Sequence, residues 1–377
     1  MKLKTGMMMI NNTAMKSIFN LPLILAIGMI CSSFNRLEAE VIQDSVTRAQ
    51  NTVEDQTSSA FDLFESDELL QMTLCFDIRE FHRTKNHPQY FDATLTVKTG
   101  EQDSISQMIK LKARGEFRRS YCYFPPIMLK FKSTDQGPFQ FSGNGKIKLV
   151  THCNQTDRFN DYVLKEYLAY KLYNRITPYS YKARLVRINY VDVNKPEKSF
   201  TAYGILIENE DELAERTNSV IVRSKNLTQK SMNTADMARL ALFNYMIGNT
   251  DWSVPLQHNI KILKPMDLNT VKGIPVAYDF DYSGLVNAVY AAPCEELPIK
   301  TVLERHYLGI CIGDEEFKPV IEEFGELKDQ LLGTINDFEY LSNGQKKQAS
   351  SYINSFFNLY RYENFPMTAL NRSCKRF

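Results

Sequence analysis

Residues 162–176 read YVLKEYLAYKLYNRI. Val163, Tyr167, Tyr170, Leu172 and Tyr173 fall near helical spacing, and Pro178 closes the run. A helix is predicted here, with a tyrosine-rich side that serves core and inter-lobe packing. On either side the period changes. Immediately upstream, 146–150 (KIKLV) reads as a strand entered through Gly143-Asn144-Gly145. Further upstream, 69–77 (LLQMTLCFD), 90–97 (YFDATLTV), 109–114 and 127–132 read as strands around a turn-rich piece with Pro125-Pro126. Downstream, 183–191 (ARLVRINYV) and 202–207 (AYGILI) return to strand chemistry. Beyond them helices dominate, at 211–218, 234–247, 317–338 and 344–360, interrupted by short strands at 258–263 and 274–278. The chain therefore reads as α+β, a strand-rich half with one embedded helix followed by a helix-rich half. The division falls at Ile207-Glu208, giving 66–207 and 208–377.

The N-terminus reads as an export signal. Lys2, Lys4 and Lys16 precede an apolar run at 18–31 (IFNLPLILAIGMIC), and Leu37-Glu38-Ala39 sets a small residue before a cut at Glu40. The run is shorter than the roughly 20 residues that span a bilayer, which disfavours the alternative of an uncleaved anchor. Residues 1–39 are thus assigned as signal peptide and 40–65 as a polar linker. The expected location is secreted, periplasmic or cell-surface, with no transmembrane span after the signal. Lys+Arg total 45 against Asp+Glu 44, without the basic excess of a nucleic-acid-binding protein. A hydrophobic share of 44% supports a packed core rather than disorder. Six cysteines remain after the signal (Cys75, Cys122, Cys153, Cys294, Cys311, Cys374), an even number that permits disulfides in an exported chain. No C-x-x-C pair exists and His is scarce, which argues against a zinc site.

The chemistry-bearing stretch is Gly248-Asn249-Thr250-Asp251-Trp252-Ser253, then His258-Asn259, then Ala277-Tyr278-Asp279-Phe280-Asp281. Asp251 follows a helix end marked by Gly248, Asn259 opens a strand and Asp279 ends the next. A hairpin of those strands brings Asn259 and Asp279 together with Asp251 at the mouth. Phosphoryl transfer needs this set: a carboxylate to orient the acceptor hydroxyl and take its proton late, and hard oxygen ligands for Mg²⁺ or Mn²⁺. Asp251 is the expected base, and Asn259 and Asp279 the expected metal ligands, with Asp281 in reserve. A nucleotide-binding lysine should sit on a strand before a helix bearing its glutamate. Lys148 and Glu166, 18 residues apart (166 − 148), meet that spacing. Lys130 ranks second and Lys146 third. Singly, each of these residues has a plainer reading: Asp251 as a turn residue, Trp252 as a packing anchor, Arg118-Arg119 as a solvated pair.

In that order, G-N-T-D-W-S, H-N and Y-D-F-D resemble the atypical kinases, and most of all the spore-coat CotH kinase-like family. Arg114-Gly115 and the strand bearing Lys130 resemble that family's R-G region. The helix at 157–172 resembles its helix after the lysine strand, and Tyr203-Gly204 through Glu208 its linker between lobes. The likeness spans about 170 residues, from Arg114 to Gly284. It implies a two-lobed protein-kinase-like fold with a strand-rich N-lobe and a helical C-lobe. It also implies ATP as co-substrate, with Arg114, Lys148, Glu166 and Glu208 on the nucleotide side. The sequence departs from the kinase pattern in having no H-R-D, no glycine-rich loop and no serine after Arg114-Gly115, and in having Asp279-Phe280-Asp281 in place of D-F-G. Two functions follow as expectations. One is an exported kinase that phosphorylates a hydroxyl of a secreted or surface protein or glycan. The other is a non-catalytic binding or assembly protein of the envelope or surface.

Overall fold

Alternation of apolar and polar side chains decides the first half of the molecule. The structure is a computed structural model, and it describes residues 60–131, 137–140, 144–224, 226–267, 272–361, 370 and 374. The expected signal at 1–39, and the expected linker apart from 60–65, lie outside the described residues. After a short strand β1 (Phe61–Asp62) come β2 (Leu70–Phe76), β3 (Phe91–Lys98), β4 (Ser104–Ala113) and β5 (Ile127–Lys130). β6 (Phe139–Gln140) pairs in parallel with β1. β7 (Lys146–Val150), β8 (Ala183–Asp192) and β9 (Lys195–Ile207) follow. Seven of these close into a barrel in the order β2-β3-β4-β5-β7-β9-β8. The barrel is sealed by the parallel pairing of β2 with β8, whereas its other pairs are antiparallel. Closure leaves no strand edge to recruit another chain. Inside, Leu74, Leu95, Leu111, Leu129, Ile147, Leu149, Ile188 and Leu206 form one apolar core. Register is set by this core, because a one-residue slip would turn each apolar row outward. Gly204 is needed where strands crowd: a Cβ there would lie 2.8 Å from Ile188 Cδ1 and 2.9 Å from the Val150 carbonyl.

Three helices are threaded through the barrel segment: α1 (Ile78–Thr84), α2 (Phe117–Tyr121) and α3 (Asp157–Ile176). Asp77 caps α1 by accepting from the Glu80 amide at 2.8 Å. The remainder holds α4 (Glu210–Arg216), β10 (Ser219–Ile221), α5 (Thr234–Ile247), β11 (Ile260–Pro265), β12 (Ile274–Ala277), α6 (Asp314–Glu326), α7 (Lys328–Asn336) and α8 (Asn343–Phe357). β10, β11 and β12 make an antiparallel sheet. A second core joins α3 (Leu168, Leu172, Tyr173) to α5 (Leu240, Phe243), Phe324 of α6 and Ile353 of α8. It also takes in Leu185, Ile205 and Ile207 from the barrel strands.

These observations correct the expected architecture. A two-lobed protein-kinase-like fold, with a strand-rich N-lobe and a helical C-lobe, does not form. The strands curl into a closed barrel, and the later half carries a sheet of its own among its helices. α3 packs barrel strands and later helices into one core, so residues 60–377 make one compact unit. Among the described residues no helix is long and apolar enough to cross a membrane. Among the described residues two disulfides form, Cys122–Cys153 and Cys311–Cys374, leaving Cys75 and Cys294 as thiols.

Candidate functional site

α5 ends where Gly248 takes a left-handed conformation (φ 67°) and donates its amide to the carbonyls of Asn244 and Tyr245. Asn249, fully buried, then turns the chain. Its side-chain amide donates to Asn244 Oδ1 at 2.8 Å, and its own Oδ1 accepts from the Asp251 amide at 3.1 Å. This holds Asp251 at the start of a tight loop closed by reciprocal backbone bonds, each 3.0 Å, between Ser253 and His258. The Asp251 carboxylate has two side-chain partners. Oδ1 lies 2.8 Å from His258 Nε2, and Oδ2 accepts from Asn259 Nδ2 at 2.9 Å. Asn259 Nδ2 also donates to the Asp251 carbonyl. With its nitrogen engaged, the oxygen is the end of the Asn259 amide suited to a cation.

The hairpin of β11 and β12 brings the next carboxylates alongside. The Tyr278 amide donates to the Asn259 carbonyl at 3.1 Å. Asn259 (φ 52°) and Asp279 (φ 65°) are both left-handed, a region that Asn and Asp enter more readily than bulkier residues. The Asp279 amide donates to Tyr170 Oη at 2.9 Å. Phe280, fully buried against Tyr170, Tyr173 and Phe243, anchors the turn. Asp281 is 4% exposed and accepts a hydrogen bond from Tyr290 Oη at 3.0 Å.

Arg118 is the residue that the sequence reading misplaced. The sequence suggests half of a solvated pair, yet Arg118 is buried. Its Nη2 donates to the Thr151 carbonyl at 2.8 Å, and its Nη1 lies 3.7 Å from both Glu166 Oε2 and Asp281 Oδ2. It joins α2, α3 and the 279–281 turn. α2 is itself fastened by Cys122–Cys153 and by the Phe124 amide donating to the Cys153 carbonyl. Nothing in the linear sequence separates Arg118 from Arg119; the nearby half-cystine Cys122 was the only hint.

The electrostatics show charge gathered at one place. Burial, then Asp281, push Glu166 well above the usual carboxylate range, against the pull of Arg118. Burial, then Asp279, raise Asp281 to about 7, against Arg118 and the Tyr290 hydroxyl, while Asp251 adds to the rise. Burial opposes the Arg118 charge, but Tyr290, Asp281, Glu166 and Asp279 outweigh it and raise its pKa. Burial, then Arg114 and Lys261, lower Lys148 to about 8, partly offset by Asp279 and Glu210. Oε1 of Glu166 and Nε of Arg118 are buried without a hydrogen-bond partner. Among the described residues, no group of three or more His, Cys, Asp or Glu is gathered as a metal cage.

The expected nucleotide-side residues separate. Lys148 and Glu166 form no ion pair with each other: Glu166 faces Arg118, and Lys148 Nζ lies over the Tyr278 ring at 4.4 Å. The cause is register, since Lys148 opposes Ile207 on the outer side of the barrel wall. Lys130 is exposed and sits 5.5 Å from the Tyr90 ring, with Lys146 beside it on the neighbouring strand. Arg114 is half-buried and within electrostatic reach of Lys148 and Glu166. Glu208 is engaged by neighbouring donors. Its two oxygens accept from Arg216 Nε at 3.0 Å and Nη2 at 2.9 Å, and Oε2 also accepts from the Lys182 amide. A cavity of about 330 Å³ lies beside it, lined by Asp62, Phe64, Gln140, Lys182 and Arg216 among others.

No protein-family model matches this chain, and no curated protein matches it.

Proposed function

We propose that this protein is an exported phosphotransferase that uses ATP and a divalent metal to phosphorylate a hydroxyl of a secreted or surface protein or glycan. The observation that carries the reading is the hydrogen bond between Asp251 and Asn259 and the Arg118–Asp281 ion pair, with Asp279 acting electrostatically on both Asp281 and Lys148. Carboxylates that raise one another's pKa leave a place where added positive charge is stabilised. Their oxygens, with the amide oxygen of Asn259, suit a hard cation. Asp279, Asp281 and Asn259 would hold Mg²⁺ or Mn²⁺, which when bound supplies positive charge against the phosphates of ATP. Lys148 and Arg114 would contribute cationic side chains to the phosphates. Asp251, oriented by His258 and Asn259, would align the acceptor hydroxyl and accept its proton as the new O–P bond forms and the bond to ADP breaks. The resemblance of the motif order to CotH kinase-like proteins supports the same chemistry. The expected N-terminal signal and the two disulfides support an oxidising compartment outside the cytosol.

A non-catalytic binding protein is the second reading. The missing Lys148–Glu166 pair favours it, as does an Asp251 carboxylate with both oxygens engaged. Labelled ATP with Mg²⁺ or Mn²⁺ separates the two. Transfer of label to an acceptor or to the chain itself, abolished in Asp251→Ala and Asp279→Ala variants that still melt cooperatively, is the expected result. Nucleotide-dependent thermal stabilisation without any transfer would leave the binding reading; full activity in either variant would remove the mechanism.

A further inference from the structure

Two histidines bear on one short stretch, Tyr123-Phe124, just after α2. His152 is 1% exposed and stands in a box of rings. Phe124 stacks on it at 5.1 Å with planes 26° apart, and Phe200 and Tyr190 approach at 5.6 and 5.7 Å. Among the described residues neither of its ring nitrogens has a hydrogen-bond partner. His82, half-buried on α1, lies 4.4 Å from the Tyr123 ring and 5.7 Å from the Phe124 ring, and its Nε2 is likewise buried without a partner. An imidazole walled in by rings stays neutral, because a proton would bring a charge that nothing there solvates.

The charged groups that act on the two rings are cations. Lys85, whose Nζ donates to the Cys122 carbonyl at 2.8 Å, acts on His82, and Arg118 acts on His152. On α1 itself, Asp77 caps the helix start and Glu80 is engaged by Arg83. β8 contributes the Tyr190 phenol, which burial keeps protonated, and β9 the Phe200 ring. Cys122 and Cys153 are bonded to each other. Burial, then Arg118, lower His152 to about 4, and burial, then Lys85, lower His82 against a hydrogen bond with the Tyr123 backbone.

The walls of the box differ in how easily they yield. Tyr190 and Phe200 are cross-strand partners, fixed by the ladder of β8 and β9. Phe124 lies in a loop. Its carbonyl accepts from Thr151 Oγ1 at 2.9 Å, its amide donates to the Cys153 carbonyl at 2.9 Å, and Arg118 Nη2 holds the Thr151 carbonyl. A charge on His152 therefore reaches water by displacing the Phe124 side. The disulfide keeps that side tied to residues 151–153 as it moves, and Arg118 travels with it.

We propose that His152 is an acid-sensitive latch: once protonated, it opens the 118–124 stretch from the barrel wall and withdraws Arg118 from Glu166 and Asp281. The candidate site is thereby regulated by the pH of its surroundings. Its effect on transfer rests on the phosphotransferase reading, while the opening itself does not. The open stretch takes up a proton below the ordinary imidazole value of 6.5, and the closed stretch only near 4. Closure is thus fully stabilised above 6.5 and lost progressively as pH falls toward 4, by roughly two orders of magnitude in the opening equilibrium. Glu166 and Asp281 bind protons more readily in the closed form and act in the opposite sense over this range. They are common to wild type and a His152 variant and cancel when the two are compared.

Hydrogen exchange read by mass spectrometry on the full chain at pH 7, 5.5 and 4.5, corrected for the intrinsic effect of pH, tests the latch. His152→Phe, which fills the box with a ring that cannot titrate, is run alongside, with thermal melts at pH 7 to confirm folding. In wild type, protection of 118–124 relative to β3 should fall about ten-fold or more between pH 7 and 4.5, and in His152→Phe it should hold. Three outcomes overturn the proposal: protection that does not change with pH, an equal fall in wild type and His152→Phe, or 118–124 and β3 opening together in one transition. Where His152→Phe does not fold, imidazole proton NMR of the wild type decides. A histidine signal that titrates together with the selective opening upholds the latch, and five histidines all titrating near 6.5 without it overturn it. Selective opening without phosphate transfer at any pH leaves the latch standing and removes only the phosphotransferase reading. Transfer lost in acid with no opening sinks the latch and leaves that reading in place.

Discussion

Inside the barrel, Leu74, Leu95, Leu129 and Leu149 meet other apolar side chains. Between α2, α3 and the 279–281 turn, Arg118, Glu166 and Asp281 are buried almost as deeply, yet they meet one another at 3.7 Å and leave polar atoms without partners. The first region converts burial into stability. In the second, burial opposes charge, because removing an ion from water costs more than a loosely made pair returns. Left-handed Asn259 and Asp279 add to the contrast, since sparsely populated backbone conformations gather at functional sites. The barrel, together with the disulfide through Cys153, holds the charged cluster in place.

The largest expected effect tests the barrel. Leu95→Ala, at a position 1% exposed, should cost about 2–5 kcal/mol of stability by urea denaturation. Activity per folded molecule should be kept. A loss of activity without a loss of stability would mean that the two regions are not divided as described.

Next comes the link between them. Replacing Cys122 and Cys153 together by serine opens a loop of sequence separation 31 and should cost about 2–4 kcal/mol. Here activity should fall further than stability explains, because α2 carries Arg118. Refolded double variant with wild-type turnover would show that α2 keeps its place without the bond.

An effect of opposite sign is expected at the site itself. Folded Asp281 keeps its proton to about 7, whereas the unfolded chain releases it near the ordinary value of 3.8. Across that window the unfolded state binds fewer protons, so stability falls as pH rises. Asp281→Asn removes its share of the fall. The variant should gain stability on wild type at pH 8 relative to pH 4, and lose phosphotransfer. Parallel stability–pH curves from thermal melts of the two proteins would contradict the charge picture.

The smallest effect separates the lysines. Lys130→Ala should change stability by no more than about 0.5 kcal/mol and leave nucleotide response intact. Lys148→Ala should abolish the thermal shift on adding ATP with Mg²⁺. Equal responses in both variants would remove Lys148 from the nucleotide side.

Local elements were largely legible. The helix 234–247 forms at Thr234–Ile247, with Gly248 as its left-handed end. The hairpin expected to bring Asn259 beside Asp279 pairs Ile260 with Ala277 and sets Tyr278 on Asn259. Other elements were less legible. The helix expected at 317–338 breaks at Leu327 into α6 and α7. α1 and α2 are too short to show a helical period over their 7 and 5 residues. The two-residue strands β1 and β6 are equally invisible.

What the sequence by itself determined is local: period-2 strands, a tyrosine-rich helix, a glycine helix end, and carboxylates at hairpin spacing. Each is written within a few consecutive residues, because backbone periodicity and turn chemistry act over that range. What only the tertiary structure decided is which distant residues meet. β2 closes the barrel on β8, more than a hundred residues later, and turns the expected strand-rich lobe into a barrel. Arg118 takes Glu166 from Lys148 because α2 brings it to α3 while Lys148 lies over the Tyr278 ring. Cys122 chooses Cys153, and Phe117 finds Tyr282, by the same means. Such pairings depend on how the strands curl and how the helices dock on them, and packing over the whole chain settles both.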